Sequence, residues 1–390
     1  MLMSGKNSKQ EKYSGFEQGP IRPPSEAMSL LIRVTRNCPW NRCTFCPVYK
    51  DSRFSLRPAA HIKMDIDRVY GYVAALRQIG EQIQYPDRTM IDEIAAKVIP
   101  FDMQAMQAAV HWYYSGMESI FLQDANSLII KPRDLVDVLK HLKTRFPWVK
   151  RITSYARSHT AARISDADLC AMSDAGLNRI HIGLESGSDE VLKMVAKGVT
   201  KAGQIKAGIK IKQAGMELSE YVMPGLGGRA LSRIHALETA DALNQINPDF
   251  IRLRTLAVPN HVPLFDEYAK GRFEKCTELM TVREILLFLE AFKGITSRVK
   301  SDHVLNLFQE IEGRLPDDRD RMVEVIQTFL SMPPEKQAVF QVGRRTGVFS
   351  TLADMQDKYL LARAEKTCKK FNVTPENVDE IVDEIMKRFI

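Results

Sequence analysis

Residues 29–46 read Ser-Leu-Leu-Ile-Arg-Val-Thr-Arg-Asn-Cys-Pro-Trp-Asn-Arg-Cys-Thr-Phe-Cys, an apolar run that leads directly into three cysteines. The apolar run at 29–35 is a candidate β-strand, and Cys38, Cys43 and Cys46 share one loop at its carboxyl end. In barrels of parallel strands, this end carries the ligand sites. Three clustered thiols in a reducing compartment usually hold a metal. A four-iron cluster that receives three thiolates keeps one iron open for another ligand.

Further candidate strands recur along the chain, and each is followed by a helical stretch. They lie at 119–123, 151–155, 179–184, 217–223 and 250–256. Such alternation is typical of a parallel βα architecture. Six strand–helix units predict an α/β fold of the partial (β/α)6 barrel type, rather than a doubly wound sheet.

The predicted barrel spans residues 29–265, after an N-terminal extension at 1–28. A mostly helical insertion at about 55–115 separates the first two strands, because 65–79, 90–98 and 103–114 show helical spacing. Residues 266–390 form a mostly helical C-terminal region, apart from a possible final strand at Arg298. Its predicted helices are 282–295, then 318–330 behind a cap at Asp317, then two more that end at Ile390.

Composition indicates a globular chain with a sizeable core, since 45% of its 390 residues are apolar. Neither a signal peptide nor a run of about 18 apolar residues is present. We therefore expect a soluble, cytoplasmic protein without a membrane partner. Its six cysteines are too few and too unevenly placed for a disulfide framework.

The net charge of +7 permits an anionic partner without requiring one. The densest basic patch spans 131–157 and comprises Lys131, Arg133, Lys140, Lys143, Arg145, Lys150, Arg151 and Arg157. Two interpretations stay open for this patch, a solvated helix face and a nucleic-acid footprint.

Alternation along the strands predicts which side chains face the barrel interior. Arg252 and Arg254 should point inward, and so should His181, Gly183 and Glu185. A charged interior is costly unless its groups are paired or solvated. It should therefore be either a salt-bridge network, with Glu185, Glu217 or Glu220 as partners of the arginines, or a ligand site.

The cysteine loop resembles that of the radical S-adenosylmethionine (radical SAM) superfamily. That family's usual spacing is Cys-x3-Cys-x2-Cys, with an aromatic residue before the last cysteine. Phe45 matches the aromatic position, whereas the first gap in this chain, from Pro39 to Arg42, has four residues. This departure cautions against naming a subfamily.

Further segments resemble the family in the order in which the family carries them, over about residues 30–265. Gln123, Asp124 and Asn126 occupy the place of its Gly-Gly-Glu motif, and Ser154 and Arg157 resemble polar groups near the methionyl or ribose end. The segment with Glu185 and Ser186, followed by Lys197-Gly-Val-Thr200, resembles the branch of oxygen-independent coproporphyrinogen oxidases and methylthiotransferases. Met223-Pro-Gly225 resembles the element that approaches the adenine.

The resemblance implies an oxidoreductase that uses a [4Fe-4S] cluster on Cys38, Cys43 and Cys46 together with S-adenosylmethionine. The implied reaction produces a 5′-deoxyadenosyl radical that abstracts hydrogen from a small molecule or cofactor precursor, with flavodoxin or ferredoxin as electron donor. Arg252 or Arg254 would bind a carboxylate. Modification of RNA or protein is one alternative, and a zinc module completed by His61 is another. No second cysteine cluster follows the barrel, which argues against the methylthiotransferases.

Two segments beyond the resemblance carry further candidates. His303 and Asn306 lie in a polar stretch after the possible final strand, and we expect them to contact substrate. The stretch from Gly343 to Gly347 contains two arginines that could grip a phosphate or carboxylate. A basic turn between helices is the other interpretation of that stretch.

Overall fold

The computed structural model describes residues 12–80, 89, 93 and 98–386, which form two compact units. The first unit comprises Met1–Pro39, Arg53–Tyr155 and Cys170–Asn178. The second comprises Trp40–Ser52, Ala156–Leu169 and Arg179–Ile390. Cys38 belongs to the first unit, whereas Cys43 and Cys46 belong to the second.

The strands and helices of the described residues follow one another as the sequence predicts for a βα protein. The strands are β1 (Leu30–Arg33), β2 (Thr35–Arg36), β3 (Ser55–Leu56), β4 (Ser119–Gln123), β5 (Arg151–Ala156), β6 (Arg179–Glu185), β7 (Glu217–Val222), β8 (Phe250–Leu253), β9 (Arg298–Lys300) and β10 (Gly313–Arg314). The α-helices are α1 (Ala59–Gly80), α2 (Met103–Tyr114), α3 (Pro132–Arg145), α4 (Ser158–Ala161), α5 (Asp166–Asp174), α6 (Asp189–Met194), α7 (Lys201–Gln213), α8 (Gly228–Ile246), α9 (Pro263–Ala269), α10 (Glu278–Glu290), α11 (Arg319–Leu330), α12 (Pro334–Arg345), α13 (Lys358–Lys370) and α14 (Val378–Met386). Short 3-10 helices lie at Pro24–Glu26, Ser127–Ile129 and Leu352–Gln356.

The first unit is built on the parallel strands β1, β4 and β5. Leu30 lies opposite Ile120, and Ser119 lies opposite Arg151. All residues of β4 are buried, as expected for a parallel strand that is covered on both faces. Helix α1 packs against α2 and α3, so the helical insertion forms part of this unit's core.

The described part of the N-terminal extension is anchored to the first unit. Phe16 is buried. The next residue, Glu17, accepts charged bonds from Arg36 at 2.6 Å and from Arg57 at 2.7 Å. Burial opposes the charge of Glu17, but its arginine partners outweigh burial and lower the pKa of the carboxyl group.

The second unit is built on β6, β7, β8 and β9, which are mutually parallel, with β10 antiparallel to β9. Helix α8 packs against α7 and α10. Helix α12 packs against α13 and α14 and carries the C-terminal core.

The predicted strands are confirmed, each within a few residues of its predicted ends, and so is the final strand at Arg298. The prediction of two helices after Leu330 is wrong, because α12, α13 and α14 occupy that stretch of the described chain. Phe371 to Asn377 separates α13 from α14, and Asn372, with a φ of 50°, lies just after the end of α13. The helix predicted at 90–98 falls outside the described residues, apart from Glu93 and Val98.

Candidate functional site

Cys43 and Cys46 lie against an apolar cluster in the second unit. Both are partly buried, and they pack on the cluster that contains Phe45, Met223 and Leu256. None of the chain's cysteines is in a disulfide. Two thiols of the predicted cluster loop are therefore reduced and partly sheltered from bulk water, and thiolates are the usual ligands of iron–sulfur clusters.

Trp40 fixes the start of this loop against the residues that follow α6. Its indole Nε1 donates a hydrogen bond to the Ala196 carbonyl oxygen at 2.7 Å. Gly198 has a φ of +72°, and a Cβ there would lie 2.3 Å from the indole ring. Further along the loop, the backbone N–H of Thr44 donates to the Val195 oxygen at 3.0 Å. Only glycine at 198 leaves room for the indole.

Lys197 brings a positive charge to Cys43. Its ammonium lies 3.1 Å from Oε1 of Glu185, and the side chain of Lys197 is 14% exposed. Burial lowers the pKa of Lys197, but the Glu185 carboxylate and the Cys43 thiolate outweigh burial, so the net change is a rise. The lysine thus keeps its charge, and a cation beside a cysteine favours the thiolate that binds metal.

The segments at the ends of β6 and β7 share a buried hydrogen-bond network. His235 of α8 is 1% exposed, and its Nδ1 lies 2.8 Å from Oγ of Ser186. Its Nε2 lies 3.1 Å from the carbonyl oxygen of Met223. The sequence analysis missed His235, although a signal was available: it shares the buried face of α8 with Thr239 and Ala242. Polar side chains within such an apolar stripe need specific partners.

In the first unit, Gln123 holds the N-terminal extension. Its Oε1 accepts a hydrogen bond from the backbone N–H of Gly19 at 2.8 Å, and its Nε2 donates to the Ile21 oxygen at 2.6 Å. A role of Gln123 towards S-adenosylmethionine would require it to exchange these partners.

Asp124 braces the chain that leads to the first cysteine. It is fully buried and accepts 2.7 Å and 2.9 Å bonds from Arg33 and from the backbone N–H of Asn37. Two other predicted residues, Asn126 and Ser154, are also buried in this unit, and Ser154 Oγ donates to the Tyr155 oxygen at 3.1 Å. These side chains therefore have structural partners at the carboxyl ends of β4 and β5.

Arg157 contacts the cysteine loop within the second unit. Its guanidinium carbon lies 5.0 Å from the centre of the Trp40 ring, and its Nη2 donates to the Lys197 oxygen at 2.9 Å. Arg42 approaches the same ring at 5.2 Å. Trp40 thus makes cation–π contacts with two guanidinium groups.

The two arginines predicted to face inward differ in burial and in their partners. Arg252 is buried, bonds Ser219 through Nε at 3.1 Å and pairs with Asp302 through Nη1 at 3.0 Å. Arg254 is exposed, because β8 ends at Leu253 and strand alternation no longer governs the next residue.

The predicted ion-pair partners of these arginines are wrong. Glu185 pairs with Lys197, and Glu217 pairs with Arg179. Glu220 is buried, and its Oε2 has no hydrogen-bond partner among the described residues. Burial is the main cause that raises the pKa of Glu220 well above its usual value.

Asn306 and His303 have backbone partners. Asn306 accepts from the backbone N–H of Thr255 at 2.9 Å and donates to the Leu253 oxygen at 2.8 Å, so it secures the end of β8. Nδ1 of His303 accepts from the backbone N–H of Leu305 at 3.2 Å. Burial and the nearby Arg254 lower the pKa of His303 to about 4, so the ring is neutral at pH 7.

The arginines of the stretch from Gly343 to Gly347 bind protein groups. Arg344 donates to the Leu307 oxygen at 2.8 Å and to the Phe349 oxygen at 2.9 Å. Arg345 pairs with Glu278. Both arginines lie in the last turn of α12, so the prediction of a turn between helices is wrong for them, and their protein partners argue against an anion site.

Three cations of the basic patch pair with acids of the first unit. Arg145 pairs with Asp67 at 2.7 Å, and Lys150 with Glu118 at 2.5 Å. Arg151 pairs with Glu26 at 3.3 Å. Paired cations release fewer counterions from a nucleic acid, so the patch favours a solvated helix face.

A cavity of about 900 Å³ lies within the second unit. One side is formed by the ends of β7 and β8, with Gly225 and Leu256, and the other by α10 and α14, with Val282 and Val382. Leu256 also belongs to the apolar cluster on which Cys43 packs. The cavity is thus adjacent to the cysteine loop and has the size of a small-molecule site.

The chain is similar to known proteins over much of its length. A model of the radical SAM superfamily matches residues 32–239. The tRNA uridine(34) acetyltransferase of Methanocaldococcus infernus is 20% identical over 299 residues, which cover 73% of this chain and 53% of that protein. The 4′-phospho-dehydrooxetanocin synthase of Priestia megaterium is 25% identical over 229 residues, 55% of this chain and 26% of that protein. Coproporphyrinogen III oxidase from Escherichia coli matches 67% of this chain and 52% of its own at 13% identity, with a TM-score of 0.43.

The chain belongs to the radical SAM superfamily, since more than half of it matches the family model. It spans about half the length of the acetyltransferase and about a quarter of the synthase. The predictions of an enzyme, of the α/β partial-barrel class and of a [4Fe-4S] cluster with S-adenosylmethionine are confirmed.

The described residues fit a [4Fe-4S] cluster and S-adenosylmethionine. Sheltered thiols and the charge of Lys197 suit an anionic iron–sulfur cluster. Among the described side chains, no three His, Cys, Asp or Glu are arranged to hold a single metal ion. No helix in the described part of the chain is long and apolar enough to cross a membrane.

Proposed function

We propose that this protein is an oxidoreductase in which Cys38, Cys43 and Cys46 hold the [4Fe-4S] cluster. When bound, the cluster and S-adenosylmethionine supply a 5′-deoxyadenosyl radical, which removes a hydrogen atom from a small molecule or cofactor precursor. Flavodoxin or ferredoxin is the proposed electron donor, and the cytoplasm the proposed location.

The chain's own residues orient the cosubstrate and shelter the radical. Glu185 and Lys197 present opposite charges beside Cys43, where they suit the amino and carboxylate groups of a bound amino acid. Met223 packs beside the cysteines, and Gly225 forms part of the cavity wall. Arg157, with its partner Trp40, steadies the loop itself.

The cavity of about 900 Å³ beside the cysteine loop is the observation that supports a small-molecule substrate. Cavities of this size take compact ligands, whereas RNA recognition relies on exposed cations and stacking platforms. In the basic patch, Arg145, Lys150 and Arg151 are ion-paired, which leaves fewer cations to bind RNA. Modification of RNA is therefore the weaker candidate, and RNA binding with a steep salt dependence would favour it.

A metabolite screen tests the proposed function. The cluster is reconstituted without air, S-adenosylmethionine and reduced flavodoxin are added, and release of 5′-deoxyadenosine is measured for each metabolite. We expect one class of small molecule to accelerate release. Cys43→Ala should abolish release with a near-native circular dichroism spectrum, whereas Cys170→Ala, at an exposed cysteine, should not. Release from Cys43→Ala would remove this thiol from the ligand set.

A substitution in the cavity wall tests where the substrate binds. Ala257 lines the cavity, so Ala257→Phe adds bulk there. We expect this variant to lose the acceleration by the metabolite while it keeps its iron. Unchanged acceleration would contradict the assignment of the cavity to the substrate.

A further inference from the structure

His235 of α8 links two separate segments of the second unit through hydrogen bonds, one after β6 and one after β7. The ring is almost completely buried in the middle of α8, and each of its nitrogens has a partner on a different strand-end segment. Nδ1 faces Ser186 at 2.8 Å, after β6, and Nε2 faces the Met223 carbonyl oxygen at 3.1 Å, after β7. A buried imidazole is costly unless its polar atoms are satisfied, so these bonds hold the ring firmly in place.

The partners of the ring assign its proton. A carbonyl oxygen only accepts, so Nε2 carries the hydrogen that is donated to Met223, and in the neutral ring Nδ1 accepts from the Ser186 hydroxyl. The Ser186 oxygen in turn accepts from the backbone N–H of Ser188 at 3.0 Å. The hydrogen bonds thus run in one direction, from the turn after β6 through the ring to the end of β7.

Glu284 of α10 adds a second attachment to the segment after β7. It is 5% exposed and accepts a 2.7 Å bond from the backbone N–H of Gly225 and a 2.5 Å bond from the hydroxyl of Ser232. Its carboxylate lies 3.5 Å from Nε2 of His235. Both ends of the segment Met223–Gly225 are therefore bound by buried side chains of the helices beneath it.

We propose that His235 and Glu284 are positioning residues, which fix the segments Glu185–Ser188 and Met223–Gly225 relative to each other so that S-adenosylmethionine finds a preformed site. The proposal rests on the proposed function, in which these segments contact the cosubstrate. In this proposal neither side chain contacts the cosubstrate, because the polar atoms of both already form hydrogen bonds to protein groups. Ordering the segments before binding avoids the entropy that would otherwise be lost on binding.

Two substitutions of His235 each keep one of its two hydrogen bonds, either to Ser186 or to Met223. An Asn amide lies near the position of Nδ1 and a Gln amide near that of Nε2, so His235→Asn keeps Ser186 as partner and His235→Gln keeps Met223. We expect either variant to bind S-adenosylmethionine about tenfold more weakly, the effect of one lost buried hydrogen bond. KM for S-adenosylmethionine should rise, and kcat at saturation should change far less.

The experiment is titration calorimetry of the anaerobically reconstituted protein with S-adenosylmethionine, beside iron analysis and thermal unfolding. Gln337→Leu is the matched control, because Gln337 is buried and bonds the Phe329 and Leu330 oxygens in the C-terminal helices. This control should lower the melting temperature and leave the affinity unchanged. Glu284→Gln provides a second test if the histidine variants do not fold.

The outcomes separate the two proposals. If the wild-type protein binds S-adenosylmethionine and the His235 and Glu284 variants bind equally well with only a lowered melting temperature, the residues are structural and the inference is wrong. If the wild-type protein with its full iron content does not bind the cosubstrate, the proposed function fails, and the inference fails with it.

Discussion

At the scale of single residues, the missing side chain of Gly198 controls how the cysteine loop packs. Gly198→Ala would place a Cβ 2.3 Å from the Trp40 ring, at a φ of +72°. The backbone strain alone costs about 1–2 kcal/mol, and the indole must also move. We predict that the variant retains less than about half of the iron after reconstitution, because a displaced loop ligates the cluster poorly.

Gly347→Ala is the matched control for this prediction. Gly347 has the same φ of +72°, but nothing lies within 4 Å of its virtual Cβ. It should therefore show the backbone strain in its melting temperature while keeping its iron. Equal iron content in the two variants would show that the contact with Trp40 is unimportant.

Glu220 gives a prediction about pH. Burial raises the pKa of its carboxyl group well above the usual 4.5, so the folded protein keeps a proton that the unfolded chain releases. Above pH 4.5, stability therefore falls as pH rises towards the folded-state pKa, by up to about 1.4 kcal/mol for each pH unit. Glu220→Gln removes this titration, so its stability relative to wild type should increase as pH rises above 4.5 towards the folded-state pKa of Glu220.

Urea unfolding of both proteins over this pH range measures the effect. Glu217→Gln, at an exposed position of the same strand, is the control and should show no such trend. A constant difference between Glu220→Gln and wild type would mean that Glu220 is ionised in the folded protein.

At the scale of elements, the turn after β9 fastens the end of β8. Asn306 bonds the backbone of both Leu253 and Thr255. Asn306→Ala leaves two backbone groups without these partners, and we predict a loss of about 2–4 kcal/mol in the free energy of unfolding. Asn260→Ala, at an exposed position of the neighbouring loop, should cost less than about 0.5 kcal/mol. Similar losses in the two variants, measured by urea unfolding, would contradict the assignment.

Sequence patterns predict these elements well where a strand is buried on both faces. The uninterrupted apolar run of β4 and the alternation in β6 both give strand ends that match the structure. Alternation fails at Arg254, because it holds only while the chain stays extended. The break at Asn372 is missed because a single left-handed residue leaves little trace in hydrophobic periodicity.

The proposed cysteine ligands and Lys197 lie in local motifs that the sequence shows, but the partners of buried charges do not. Arg252 of β8 pairs with Asp302, which lies after β9, and helices and loops separate the two residues in the sequence. The sequence likewise did not predict the contacts of His235, since its partners lie on two segments that precede it in the chain by different distances. Such long-range pairings depend on packing, which one sequence does not encode in any short pattern.

At the scale of the whole molecule, the cysteine distribution predicts one cluster per chain. Cys276 and Cys368 are buried, and burial raises their pKa to about 12 and about 11, so neither thiol is available as a thiolate. We predict about four iron and four sulfide per chain after anaerobic reconstitution. About eight of each, or stoichiometric zinc in protein isolated without air, would contradict this ligand scheme.

The stacked indole at the entrance of the cysteine loop also has an optical consequence. The chain has three tryptophans, and Trp40 stands between Cys38 and Cys43 in the sequence, two and three residues away. A few residues of chain span at most about 10 Å, so a chromophore held by these thiols would absorb the emission of Trp40. The fluorescence of Trp40 should therefore report cluster assembly. Its emission should decrease as iron is loaded, and a Trp40→Phe variant should lack this decrease.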